Sequence, residues 1–286
     1  MKDWILAARL RTLPAAIAPV TIGCAIAYQG QKFHLLSASM AMLGAILIQI
    51  GTNFANDYFD FINGADTEER IGPTRATQAG LITPASMKMA FAITFALVIP
   101  IVCYLAYRGG WPLILIGILS IISGILYTGG PKPLGYMGLG DIFVLIFFGP
   151  IAVAGTEYVQ SLTISSQAIW AGFASGLIST AILVVNNLRD KETDSKVGKN
   201  TLAVRFGERF VRWEYSLCLI GTATISIYLS YVHHWWVLIT LFPLMLALPI
   251  NRSMWTETGA ELDPNLGKTA RVLILYSLFF SISWVL

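Results

Sequence analysis

The chain has 286 residues, of which 56% are hydrophobic and only 12% charged, with a mean hydropathy of +0.67. A soluble domain carries about a quarter charged residues, so this composition places the chain in a membrane. It excludes a disordered chain and a disulfide scaffold, and a net charge of +3 is too small for a nucleic-acid-tracking surface.

In chain order, Met1 to Arg11 lacks the apolar core of a cleavable signal. A membrane helix needs about 20 mainly apolar residues. Nine such spans are predicted, roughly over 12–29, 35–55, 86–107, 110–128, 139–157, 167–188, 212–232, 235–250 and 268–286. The expected fold is therefore an all-α multi-pass membrane protein. Spans 3 and 4 are split only by Arg108, Gly109 and Gly110, and spans 7 and 8 only by His233 and His234, which predicts tight hairpins. The loops from Asp57 to Pro84 and from Arg189 to Arg212 are long and polar. Cys24, Cys103 and Cys218 lie inside apolar runs without metal-ligand spacing and are expected to be buried small hydrophobes.

With nine spans, one face holds the N-terminus and the loops after spans 2, 4, 6 and 8. That face carries 17 of the 19 basic residues; only Lys32 and Arg108 fall opposite. The positive-inside rule makes it cytoplasmic. Of the 16 acids, only Glu157 lies on the other face. Acids do not obey that rule, so their crowding needs its own cause.

The second span closes with Asn53, Asp57 and Asp60 at i, i+4 and i+7, on one face if the helix continues, and Asp66 follows. The sixth closes with Asn186, Asn187, Arg189, Asp190 and Asp194; Asn186, Asp190 and Asp194 fall at i, i+4 and i+8. Each motif leads into a glycine loop with basic and hydroxyl side chains, Arg70 to Thr77 in one case and Lys196 to Arg205 in the other. The match indicates a single domain over 1–286 with a weak four-helix repeat, about 1–130 and 131–250, plus a ninth helix. One such acid alone reads as a solvated loop residue. Two facing clusters suit Mg²⁺, a hard ion held by one or two carboxylates plus substrate phosphates, with Arg75, Lys199 and Arg205 placed to neutralise phosphate charge.

The loop from Tyr127 to Asp141 holds five glycines and two prolines between Gly129 and Gly140, which demands a shaped backbone. Its one cation, Lys132, reads either as a phosphate or carboxylate ligand or as a snorkelling interfacial lysine. Tyr58, Tyr127 and Tyr136 read as packing residues or as ring faces for an allylic cation. His34, His233 and His234 fall on the opposite face and read as interface residues.

These segments carry a family likeness over the whole chain: Arg9-Leu-Arg11-Thr-Leu-Pro14, Asn53 to Asp66, Gly72-Pro-Thr-Arg75, Tyr127 to Tyr136, and Asn186 to Asp194 followed by Gly198 to Arg205. The chain resembles the UbiA-type intramembrane aromatic prenyltransferases, most of all the branch that acts on 1,4-dihydroxy-2-naphthoate in menaquinone synthesis. The resemblance implies nine helices around a central cavity in a bacterial cell membrane, with a cytoplasmic mouth and a side opening to the lipid bilayer. It implies Mg²⁺ at Asp57, Asp60, Asp190 and Asp194, with Asp66 as a further candidate ligand. It further implies substrate contacts from Asn53, Arg11, Arg75, Tyr127, Lys132, Tyr136, Asn186, Asn187, Arg189, Lys199 and Arg205. In the 4-hydroxybenzoate branch the last acid of the first motif comes four residues after the middle one. Here that position is Gly64, and the acid at Asp66 matches the naphthoate branch. The implied substrates are a polyprenyl diphosphate and 1,4-dihydroxy-2-naphthoate; no nucleic acid is implied and no obligate protein partner is readable. Prenylation of 4-hydroxybenzoate or another phenol is the nearer alternative. An ion-coupled transporter is the remote one, since transporters place ion sites at midplane in broken helices.

Overall fold

The computed structural model describes residues 1–65 and 71–286, and among these every regular element is helical. Eight helices are long and apolar enough to cross a membrane, and the shorter apolar helix Trp111–Leu126 makes the ninth span. The first four are α2 (Leu13–Gln29), α3 (Leu35–Ile62), α4 (Pro84–Gly109) and α5 (Trp111–Leu126). They follow a short helix, α1 (Lys2–Ala8), that hydropathy does not single out.

The fifth span is broken into α6 (Gly140–Ile146), a π-turn over Phe147–Ile151 and α7 (Ala152–Ser161). Pro150 has no N–H to give the helix ladder, and the chain leaves the helical path at Gly149. The sixth span is α8 (Ser166–Arg189), followed by two short helices, α9 (Lys191–Lys196) and α10 (Leu202–Phe206). The seventh is α11 (Glu208–Val232). The eighth comprises a 3₁₀ segment (Trp235–Thr240), α12 (Leu241–Met245) and α13 (Leu248–Thr256), interrupted near Pro243 and Pro249. The last is α14 (Asp263–Val285).

Span starts follow local chemistry. Thr83 and Ser165 accept the backbone N–H of Ser86 and Ala168, capping α4 and α8. His34 caps α3 through Nδ1, and His233 stacks on Trp284 at 3.9 Å between ring centroids, so both act as end residues. Glu157, the lone acid of its face, accepts from the Ser165 N–H at 2.9 Å and holds the turn into α8. Cys218 is buried as expected, but Cys103 is exposed on the outer side of α4.

Helix α8 is the central one. Its buried residues include Ala171, Gly172, Ala174, Ser175, Gly176, Ser179 and Ala181. In lipid, helices associate through close packing of small residues. A Cβ on Gly172 would lie 2.6 Å from Cα of Pro150, and one on Gly176 would strike the Leu145 carbonyl. The kink of span 5 therefore fits only against a glycine face. The main core joins α8 to α11 and α14 through Ile178, Tyr215, Leu229, Tyr276 and Phe280, all fully buried. By contrast, Ile114, Ile118 and Ile122 of α5 face outward. A second cluster packs Ala7, Ala8, Phe54, Ala76, Ile82 and Met87 together. It clamps α1 and the loop after Gly72 onto α3.

Candidate active site

Helix α3 runs unbroken through Ile62, so Asn53, Asp57 and Asp60 do lie along one helix. Their side chains nevertheless do different work. Asn53, 3% exposed, donates to the Ala8 carbonyl and to Thr12 Oγ1, both at 2.9 Å, and fastens the N-terminal segment. Asp57 accepts from the N–H groups of Ala76 at 3.1 Å and Thr77 at 2.9 Å, one on each carboxylate oxygen. The sequence reading puts Asp57 among the metal ligands; the structure turns both its oxygens onto the loop.

Asp60 is the meeting point. It is 1% exposed, and its Oδ2 accepts from Arg75 Nη2 at 2.9 Å. Its Oδ1 accepts from the Tyr136 hydroxyl at 3.2 Å and lies 3.1 Å from Lys199 Nζ. That ammonium also stands 5.0 Å from the centroid of the Tyr136 ring. The backbone laces the same segments: the Asn200 N–H donates to the Tyr136 carbonyl at 3.0 Å, and the Lys199 N–H to the Asp194 carbonyl at 2.9 Å. Three separate parts of the chain thus converge at the end of α3.

The glycine loop has the shaped backbone its composition predicts. Gly130 and Gly138 take positive φ, +85° and +69°, which a side chain would resist. Residues Leu134–Met137 form a 3₁₀ turn that presents Tyr136. Tyr127 lies just beyond the end of α5. A Cβ on Gly140 would stand 3.0 Å from its hydroxyl. Burial, then the charges of Asp141, Asp194 and Asp60, hold its phenol well above the usual tyrosine range and so protonated. One tyrosine therefore senses acids from both motifs.

The second motif is a denser pair. Helix α8 ends at Arg189 and α9 starts after Asp190, yet the backbone bonds Asp190 N–H to Asn186 O and Asp194 N–H to Asp190 O continue. Arg189 has a side chain of 0% exposure. Its Nε and Nη2 grip both oxygens of Asp190 at 2.8 and 2.7 Å, and Nη2 also reaches Asn186 Oδ1 at 2.8 Å. Its Nη1 donates to Asp263 Oδ1 at 2.8 Å. Arg189, expected to bind substrate, thus faces protein carboxylates. Asp263 has no role in the sequence reading; its bond to Arg189 spans 74 residues, and no local spacing signals it.

Other expected contacts lie apart. Lys132 and Arg205 are exposed, and their side chains have no hydrogen-bond or ion-pair partner among the described residues. Arg11 is 71% exposed, 3.8 Å from Asp263, beside an open cavity of about 650 Å³ between α2 and α14. Asn187 is buried. Asp66 lies outside the described residues. Sequence reasoning passed over Asn56 and Thr128, whose side chains bond at 2.9 Å and tie α3 to the glycine loop.

Among the described residues, no three acids or other ligating side chains gather closely enough to cage a metal. The donor set still fits Mg²⁺ in another way. Asp60, Asp190 and Asp194 offer hard oxygens, with Arg75 and Lys199 on the first and Arg189 on the second. A diphosphate entering a site so rich in carboxylates brings more negative charge that added cations can offset, and Mg²⁺ is commonly held by few carboxylates plus phosphates.

The model of the UbiA prenyltransferase family matches residues 16–278. The chain belongs to that family. It is 38% identical to the 1,4-dihydroxy-2-naphthoate octaprenyltransferase of Haemophilus influenzae, over 99% of this chain and 95% of the relative. It is equally 38% identical to the enzyme of that name from Escherichia coli, over 97% and 93%. Its fold matches a UbiA homolog from Archaeoglobus fulgidus bound to GPP and Mg²⁺, with a TM-score of 0.72 and 13% identity over 99% of both chains. The chain is a membrane prenyltransferase rather than a transporter, and among the described residues the breaks fall in spans 5 and 8, not in α3 or α8.

The Asp57 geometry makes a prediction. Asparagine offers one carbonyl oxygen and would set its NH₂ against the second loop N–H. Asp57→Asn should lower thermal stability by about 1–3 kcal/mol, the scale of a hydrogen bond to a buried charge. It should also speed tryptic cleavage after Arg75 in detergent. Unchanged cleavage at Arg75 would show that Asp57 does not hold the loop.

Proposed function

We propose that this chain transfers a polyprenyl group from an allylic diphosphate to 1,4-dihydroxy-2-naphthoate, releasing diphosphate and CO₂ and giving demethylmenaquinol. The geometric observation that carries the reading is the convergence of both motif loops on the buried Asp60 carboxylate. The acceptor follows from the near-full-length identity to relatives named for it. A 4-hydroxybenzoate reading has no such support.

The residues divide the work. Asp57, Asp60, Asp190 and Asp194 provide the carboxylate oxygens for divalent cations. Magnesium, when bound, supplies the charge that lets diphosphate depart. Arg75 and Lys199, now on Asp60, are within a side-chain swing of phosphate oxygens arriving there. The C–O bond to diphosphate breaks with its electron pair going to the leaving group. The ring carbon forms the new C–C bond to the allylic cation, and the pair from the lost carboxylate restores the aromatic ring. Tyr136, bonded to Asp60, and Tyr127, against Gly140, offer ring faces to that cation. Tyr127, kept protonated, cannot act as an anionic nucleophile toward it. Preorganised charge at the diphosphate contributes most of the rate.

The protein purified into nanodiscs and given 1,4-dihydroxy-2-naphthoate with a mixture of prenyl diphosphates should yield the prenylated, decarboxylated quinol by mass analysis. Exhaustive chelation should stop the reaction and Mg²⁺ restore it, while 4-hydroxybenzoate should give far less product. Product formed at full rate under chelation would remove the metal reading, and preference for 4-hydroxybenzoate would reassign the acceptor.

The site face is proposed to be cytoplasmic, because it carries 17 of the 19 basic residues. In a cysteine-free background of intact cells, a membrane-impermeant thiol reagent should label a cysteine at exposed His234 but not one at exposed Lys196. The opposite pattern would invert the arrangement.

A further inference from the structure

Asp263 is the first residue of α14. Its side chain is 35% exposed, and it lines the cavity between α2 and α14. Its Oδ1 takes the one terminal nitrogen of Arg189 that Asp190 and Asn186 leave over. A guanidinium is a rigid planar fork, so a partner on Nη1 fixes the direction of Nε and Nη2 as well. One buried cation is thereby shared by a carboxylate of the second motif and a carboxylate of the last span. Arg11 adds little to this arrangement, being 71% exposed and 3.8 Å from Asp263.

We propose that Asp263 is a positioning residue for the second motif: by holding Arg189 it sets how freely the Asp190 carboxylate is offered to a divalent cation. This role rests on the proposed metal reading. Without the Asp263 charge, Arg189 would have Asp190 as its only carboxylate partner and would bind it more closely. The local charge would also become one unit more positive. Both effects act in one direction, toward weaker metal binding. A residue that merely pins α14 to α8 would instead lower stability and leave metal affinity alone.

The direct probe is Mn²⁺ binding to the full-length protein in detergent, followed by electron paramagnetic resonance in the presence of inorganic diphosphate. Asp263→Asn should weaken Mn²⁺ binding roughly ten- to a hundredfold, the usual effect of losing a partner behind a metal ligand. Asp263→Glu should restore most of it. Asp263→Ser can still accept one bond from Arg189 and is the second variant should the asparagine form not remain folded; it should shift in the same direction. Asp263→Asn added to Arg189→Gln should cost much less than Asp263→Asn alone, because the part of its effect that runs through Arg189 is already lost. A folded, monodisperse Asp263→Asn or Asp263→Ser protein with wild-type Mn²⁺ affinity would overturn the proposal. So would a full additional loss in the double variant. Failure of the wild type to bind Mn²⁺ would remove the metal reading itself, and this role with it.

Discussion

A carboxylate that is 1% exposed cannot stand alone in a membrane protein, and Asp60 does not. Stripping one partner from a buried ion pair costs about 3–5 kcal/mol, so the end of α3 must recruit cations. It finds Arg75, fifteen residues on, and Lys199, far along the chain. Neither contact forms unless the loop after Gly72 folds back and the segment after α9 reaches across. Asp57 helps the first by holding the N–H groups of Ala76 and Thr77. The backbone of Asp194 is tied to the second, its carbonyl accepting from the Lys199 N–H. The Asp60 charge thus assembles the site before any substrate arrives.

The helices make that meeting possible. Small residues along α8 let span 5 pass at near-contact distance, and the Gly149–Pro150 break bends that span around them. Helix α6 then begins directly below the glycine loop, with Tyr127 against Gly140. The second acid pair, Arg189 with Asp190, sits at the end of this same central helix and is tied to α14 through Asp263. Arg75 and Lys199 on Asp60, and Arg189 on Asp190 and Asp263, hold the site together when empty. The excess of carboxylates over cations makes it depend on imported cations when it receives a polyanion.

Much of this was legible in the sequence because its causes are local. Spanning helices announce themselves by length and hydropathy, and the two acidic motifs by helical spacing. Five glycines and two prolines marked the loop from Gly129 to Gly140 as shaped. What escaped reading depends on contacts distant in sequence. Nothing near Asp57 shows that its oxygens face backbone N–H groups about twenty residues later, or that Asn53 fastens Ala8 and Thr12. Asp263 drew no role because its partner lies 74 residues back, at the end of α8. The breaks in spans 5 and 8 went unread, because proline inside a membrane helix does not always break it: α2 and α4 continue through Pro19 and Pro100.

The account stands on the claim that the two acidic motifs serve one cation–diphosphate assembly. The sharpest test is a double-mutant cycle in kcat/KM for Asp60→Asn and Asp190→Asn, with folding checked by gel filtration in detergent. If both carboxylates act in one assembly, each single change removes most activity and the double change costs far less than the product of the two losses. Losses that multiply, or a folded Asp60→Asn enzyme of normal activity, would contradict it.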